Sequence, residues 1–144
     1  MDLGITGKTA LVTGGSRGLG RQCALSLAAE GVNVAICGRT KETLDRTAAE
    51  LEGLGVTAVP IVWDVSNTST VKDLHAEIKS SLGEIDILIN NVGGSPVKGD
   101  LTQVSLDDFK ATFDLNLFGG YELMRLAIPH MREQKWGRII NIAS

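Results

Sequence analysis

The 144 residues amount to one domain, and a content of 43% hydrophobic and 22% charged residues marks a folded globular chain rather than a disordered one. With 14 basic and 17 acidic side chains the net charge is −3, so the chain lacks the basic surface that favours nucleic acid. Cys23 and Cys37 make no disulfide framework, and with His75 and His130 far apart no zinc spacing appears. No apolar run is long enough to span a bilayer, and no leader follows Met1, so a cytoplasmic protein without membrane partner or targeting peptide is expected.

Residues 9–13, Thr-Ala-Leu-Val-Thr, read as a short buried strand, and Gly14-Gly15-Ser16-Arg17-Gly18 follows directly. Residues 19–30 carry Leu19, Cys23 and Leu27 at helical spacing, and Gly31 stops them. A second strand is predicted over 32–37 and a second helix over 42–54, broken by Gly53 and Gly55. Residues 56–63 give a third strand, ending at Asp64. Ser66 or Asn67 is the predicted cap of a third helix running to about 82, closed by Gly83. A fourth strand covers 85–89, followed by a loop with Gly93, Gly94, Pro96 and Gly99. Ser105 should cap a short helix, a longer one should run over about 116–132 with Pro129 in its last turns, and 138–143 is a fifth strand.

These strands are continuous apolar runs, so both faces of their sheet must be covered. Right-handed crossovers then give an α/β fold: a doubly wound, three-layer parallel sheet, a Rossmann fold ending on its fifth strand. In the turn over 13–20, Gly14 permits a tight exit from the strand, Gly18 keeps side chains away from an incoming phosphate, and Gly20 allows close packing on the sheet. A P-loop reading fails, because Gly7-Lys8-Thr9 precedes the strand instead of opening the helix.

The spacing Thr13-Gly14-x-x-x-Gly18-x-Gly20 resembles the fingerprint of the short-chain dehydrogenase/reductase family, in its classical branch. Asp64, the segment Asn90-Asn91-x-Gly93, Asn116 and the run from Gly137 to Ser144 match further motifs in order. The resemblance implies one NAD(P)-binding Rossmann domain over residues 1–144, incomplete at its C-terminus. It places Gly14, Ser16, Arg17, Gly18, Leu19 and Gly20 around the pyrophosphate and nearby ribose. Asp64 and Val65 would meet the adenine, Asn91 and Gly93 the nicotinamide-side ribose, and Asn90 would tie the central strands together. The resemblance implies two catalytic residues, Asn116 supporting a helix distortion and a proton relay, and Ser144 binding the substrate oxygen. Val92 stands where the family usually has Ala, adding bulk beside the cofactor.

The second strand ends Cys37-Gly38-Arg39 with no acidic side chain for ribose hydroxyls, while Arg39 and Arg17 offer guanidinium groups to a 2′-phosphate. NADP rather than NAD is therefore the expected cofactor. The family's acid/base is a Tyr beyond the Ser, with a Lys four positions later. The sole tyrosine here, Tyr121, precedes Ser144 and is followed at the fourth position by Arg125, so it reads as a half-buried helix residue. Without that acid/base, rate falls on the order of 10² to 10⁴.

The expected function is thus NADP(H)-dependent hydride transfer to or from a small-molecule alcohol/carbonyl substrate by an oxidoreductase, with these residues alone an inactive fragment. A homo-oligomer, dimer or tetramer, is expected at full length. The alternative is a non-catalytic NADP(H)-binding module, and a third reading is a purely structural partner. An exposed edge at the fifth strand and exposed helix faces are further expectations. His75 and His130 read as helix surface or edge residues, Cys23 and Cys37 as small core residues, and Trp63 and Trp136 as packing anchors. Arg125, Arg132, Lys135 and Arg138 read as a solvated face.

Overall fold

A computed structural model describes residues 1–143. The strands β1 (Thr9–Thr13), β2 (Asn33–Gly38), β3 (Ala58–Val62), β4 (Ile87–Asn90) and β5 (Arg138–Asn141) pair in the order β3-β2-β1-β4-β5, every pair parallel. The helices α1 (Gly18–Ala29), α2 (Lys41–Glu52), α3 (Val71–Ser81), α4 (Leu106–Phe113) and α5 (Gly119–Glu133) connect or follow them. The chain winds outward from β1 to β3, then returns to the far side of β1 for β4 and β5. That reversal opens a crevice between β1 and β4 at the carboxyl ends of the strands, the place where such sheets bind ligands.

The apolar runs fill both faces, as their lack of alternation requires. On one side Ala10, Val12, Val34, Ile36, Ile87 and Ile89 pack with Ala24 and Ala28 of α1 and Leu44, Ala48 and Leu51 of α2. On the other, Leu11, Ala35, Cys37 and Leu88 pack with Leu74 and Ile78 of α3 and Leu123, Ala127 and Met131 of α5. Each such leucine, fully out of water, contributes roughly 1.5–3 kcal/mol. Trp63 belongs to the second layer and donates Nε1–H to Thr70 Oγ1 at 3.0 Å. Trp136 packs against the first, with Lys8 and Arg138 over its ring at 4.6 and 4.7 Å. Both tryptophans are anchors, and Arg138 is held on an aromatic face instead of lying free.

Several details depart from the sequence expectations. Neither Ser66 nor Asn67 caps α3. Ser66 turns back to Asp64, Asn67 accepts from Ser69 Oγ at 2.6 Å, and a 3₁₀ turn over Thr68–Thr70 leads into the helix. Short polar side chains have bonded locally here and left the helix start to the backbone. The expected short and long helices are contiguous: α4 passes into α5 through a π-helical stretch, Asp114–Phe118. Asn116 Nδ2 donates to Thr112 O at 2.8 Å, a side chain bonding inside the helical ladder where the widened turn occurs. Ser105 does cap α4, accepting from Asp108 N at 3.1 Å.

Both histidines are partly buried, at the edge of their helices rather than on an open surface. His75 has a side chain only 15% exposed, lies 3.9 Å from Glu84, and its Nε2 makes no hydrogen bond among the described residues. Burial lowers its pKa, partly offset by Glu84. His130 Nε2 lies 3.1 Å from Asp86 Oδ1, which also accepts from Gln134 at 2.7 Å, while Asp86 Oδ2 accepts from Thr9 N at 3.0 Å. This cluster ties the end of α5 to the starts of β1 and β4. The expected open edge is present: Ile140 of β5 is 47% exposed, and no strand pairs with its outer side among the described residues. Leu106, Phe109, Phe113, Leu117 and Phe118 form an exposed apolar face on α4 and the π stretch.

Candidate dinucleotide site

The turn from β1 to α1 is the centre of the site. Gly18 has φ +51°, and a Cβ there would meet open space. Gly20 is different: a Cβ on it would lie 2.3 Å from Gly14 O and 2.5 Å from Asn91 Nδ2, so α1 sits as close to the turn as a hydrogen side chain permits. No side chain caps the start of α1, and its free amides and positive dipole end face outward, suited to an anion. Thr13 Oγ1 accepts from Asn91 N at 3.0 Å and Val92 N at 3.2 Å, locking β1 to the exit of β4.

A cleft of about 260 Å³ runs along the carboxyl edge of β2, β1 and β4. Its walls bring together Gly14, Ser16, Arg17, Arg39, Asp64, Val65, Asn91 and Gly93, drawn from four separate loops. Gly18 and Leu19 are exposed beside it rather than lining it, and Gly20 lies buried behind the turn. Trp63 and Leu115 also line the cleft. Nothing local in the sequence marks them, because each is an apolar residue at an ordinary strand end or helix position.

Arg17 and Arg39 stand exposed at one end, and neither forms an ion pair among the described residues. Gly38, beside Arg39, leaves no carboxylate at the end of β2. The Ser66 hydroxyl and amide, at 2.7 and 3.0 Å from Oδ1, hold the Asp64 carboxyl below the usual carboxylate range, and the charge of Arg39 adds to the effect. Asp64 is thus an ionised acceptor at neutral pH. Beneath the turn, burial pushes the Cys37 thiol up to about 12, despite a backbone hydrogen bond with Gly14.

Across Val92 a second cavity of about 210 Å³ opens between β4, the π stretch and β5, lined by Asn90, Asn116, Tyr121 and Asn141 among others. Asn116 accepts from Gly94 N at 2.8 Å and donates to Gly94 O at 2.7 Å, clamping the loop after β4 to the π stretch. Asn90 Nδ2 donates to Asn141 Oδ1 at 2.9 Å, joining β4 to β5. Tyr121 is 52% exposed, more open than a half-buried residue. Ser144 lies outside the described residues.

Fold and cleft together define a doubly wound dinucleotide-binding architecture. The profile of the family described as short chain dehydrogenase matches residues 8–144, and the chain belongs to that family. It is 41% identical over 140 residues to the ketoacyl reductase HetN of Nostoc sp. (strain PCC 7120 / SAG 25.82 / UTEX 2576), covering 97% of this chain and 48% of that protein. Among solved structures, L-sorbose reductase from Gluconobacter frateurii, complexed with NADPH and L-sorbose, superposes with a TM-score of 0.90 at 31% identity, over 96% of this chain and 53% of that one. NAD+-bound xylitol dehydrogenase superposes with a TM-score of 0.88 at 31% identity, over 97% and 54%. The chain spans about half the length of these relatives. Among the described residues no helix is long and apolar enough to cross a membrane.

Proposed function

We propose that this chain binds NADP(H) across the carboxyl edge of its sheet, as the cofactor-holding part of an oxidoreductase acting on an alcohol/carbonyl pair. The observation that carries the reading is the pair of guanidinium groups, Arg17 and Arg39, without an ion-pair partner among the described residues, at a cleft end where β2 offers no carboxylate. A carboxylate there would favour ribose hydroxyls and repel a 2′-phosphate, whereas planar donor forks suit the phosphate. The residues present fit the group: free amides at the start of α1, open space in front of Gly18, and an ionised Asp64. Relatives solved with NADPH and with NAD+ share the architecture, so the choice rests on these side chains.

In this reading Gly14, Ser16, Gly18, Leu19 and Gly20 shape the turn that receives the pyrophosphate, and the amides of α1 balance its charge. Asp64, with Val65 beside it, accepts a hydrogen bond from the adenine amino group. Asn91 and Gly93 border the nicotinamide-side ribose, and Val92 separates that position from the second cavity. Asn116 holds the loop and supports proton movement there, while Ser144 would hold the substrate oxygen. A nicotinamide held there would supply the hydride-transfer chemistry. The exposed apolar face on α4 and the π stretch suits a second copy of the protein, as in a dimer or tetramer.

A second reading has its own observation. The only tyrosine, Tyr121, has Arg125 four positions on, and that guanidinium is paired with Glu122 at 3.0 Å. These 144 residues hold no Tyr-x-x-x-Lys pair, so by themselves they act as an NADP(H)-binding module without turnover. Calorimetric titration of this chain should show NADPH bound at least about ten-fold more tightly than NADH, the scale of one charge-assisted contact. Carbonyl compounds should draw no NADPH oxidation from it. A longer chain carrying a Tyr-x-x-x-Lys pair should oxidise NADPH with carbonyl substrates. Equal affinity for the two nucleotides would overturn the cofactor assignment, and carbonyl reduction by the 144 residues would overturn the module reading.

A further inference from the structure

The β1–α1 turn is held from behind by hydrogen bonds from three neighbouring elements. Next to the exit of β4, Asn91 Nδ2 donates to Thr13 O at 3.1 Å and Gly14 O at 3.4 Å. On β2, Cys37 O accepts from Gly15 N at 3.3 Å. On α2, Thr47 Oγ1 donates to the carbonyl of Ser16 at 3.3 Å. Thr47 is 1% exposed, and the other buried positions of α2, Leu44, Ala48 and Leu51, are apolar. A hydroxyl buried on such a face costs free energy unless it is paired, and Ser16 O is the partner it finds, 31 residues earlier in the chain.

The Ser16 carbonyl and the Arg17 N–H belong to one peptide unit. Among the described residues there is no cis peptide bond, and in a planar trans unit the C=O and N–H point in opposite directions. Drawing the carbonyl toward α2 therefore turns the Arg17 amide away from α2. It also fixes the side-chain origins of Ser16 and Arg17, which line the cleft together with Gly38 and Arg39. One helical turn further along α2, Glu50 pairs with Arg21 of α1, so the helix that carries Thr47 is braced against the helix that follows the turn.

We infer that Thr47 is a positioning residue whose hydroxyl sets the Ser16–Arg17 peptide, and through it the preference for a dinucleotide bearing a 2′-phosphate. The inference rests on the NADP(H) reading above. NADH lacks the 2′-phosphate that Arg17 would meet, and Asn91 still anchors the Thr13 and Gly14 carbonyls of the pyrophosphate turn, so loss of Thr47's hydrogen bond should fall more heavily on NADPH than on NADH.

The test is titration of the 144-residue chain and its variants Thr47→Val and Thr47→Ser with NADPH and with NADH, with thermal unfolding followed in parallel. Thr47→Val, which removes the donor at nearly constant shape, should weaken NADPH about five- to ten-fold, the scale of one net hydrogen bond, and leave NADH within about two-fold. Thr47→Ser, which keeps the donor and loses a methyl group, should bind NADPH within about two-fold of the parent. Equal weakening of both nucleotides, or no weakening, in Thr47→Val overturns the inference. So does a Thr47→Ser variant with markedly reduced NADPH affinity, a result that stands even where Thr47→Val does not fold. Failure of the parent chain to bind NADPH overturns the NADP(H) reading and this inference with it. Tight binding by both the parent and Thr47→Val removes only the role of Thr47.

Discussion

Gly18 and Gly20 lie two residues apart and should fail in opposite ways when replaced by alanine. At Gly18 there is room for a methyl group, but φ is +51°, where an L side chain costs roughly 1–2 kcal/mol. Gly18→Ala should therefore fold with a modest loss of stability, a fall of a few degrees in unfolding temperature for a domain of this size. In the proposed binding mode its methyl group would project toward the pyrophosphate, so NADPH affinity should drop at least about ten-fold, roughly 1.4 kcal/mol. At Gly20 a Cβ would stand 2.3 Å from Gly14 O and 2.9 Å from Gly14 C, both backbone atoms that cannot swing aside. Relief requires α1 to move off the sheet, against the packing of Ala24 and Ala28. Overpacking of this kind costs about 1–3 kcal/mol or more, so Gly20→Ala should unfold several degrees below the parent chain. Circular dichroism melts and calorimetric titration give the two readouts. The reasoning is refuted if Gly20→Ala melts with the parent chain, or if Gly18→Ala binds NADPH undiminished.

Arg39→Ala should weaken NADPH about ten- to a hundred-fold, as expected for loss of hydrogen bonds to a charged group. NADH should stay within about two-fold, and parallel losses for both would mean that Arg39 does not meet a 2′-phosphate. Burial raises the pKa of Asp86, but hydrogen bonds from Thr9 N, Gln134 and His130 outweigh it and leave the group below its ordinary 3.8. A depressed folded-state value means the stabilisation is present above that ordinary value and is lost as pH falls through the folded one. Asp86→Asn should thus cost about 1–3 kcal/mol near neutral pH and flatten the acid limb of the stability curve. Melts from neutral to acidic pH test this, and an unchanged acid limb would assign the effect to other carboxylates. Cys37, buried with its thiol at about 12, should resist a thiol reagent until the chain unfolds. Labelling of Cys37 at native pH, read by mass spectrometry, would contradict its burial.

Much of this architecture can be read residue by residue from the chain. Uninterrupted runs such as Ala10-Leu11-Val12 and Val34-Ala35-Ile36 announce strands covered on both faces, and glycines at 14, 18 and 20 announce the turn. Family membership follows from the spacing of those glycines with Asp64, Asn91 and Asn116, and the profile match confirms it. Arg39 after Gly38 is equally local, because the strand end alone puts that side chain at the sheet's carboxyl edge. These features are legible because periodicity, turn chemistry and strand polarity act over a few residues at a time.

Partner choice was decided only in three dimensions. That His130 meets Asp86 rather than solvent depends on which groups the packed sheet brings within about 3 Å. Thr47 looks in the sequence like any helical threonine. Only the closure of α2 over the β1–α1 turn places its hydroxyl against Ser16 O. The physical reason is common to both: a polar group drawn into the packed interior must take whichever partner the tertiary contacts supply, and that partner can lie tens of residues away.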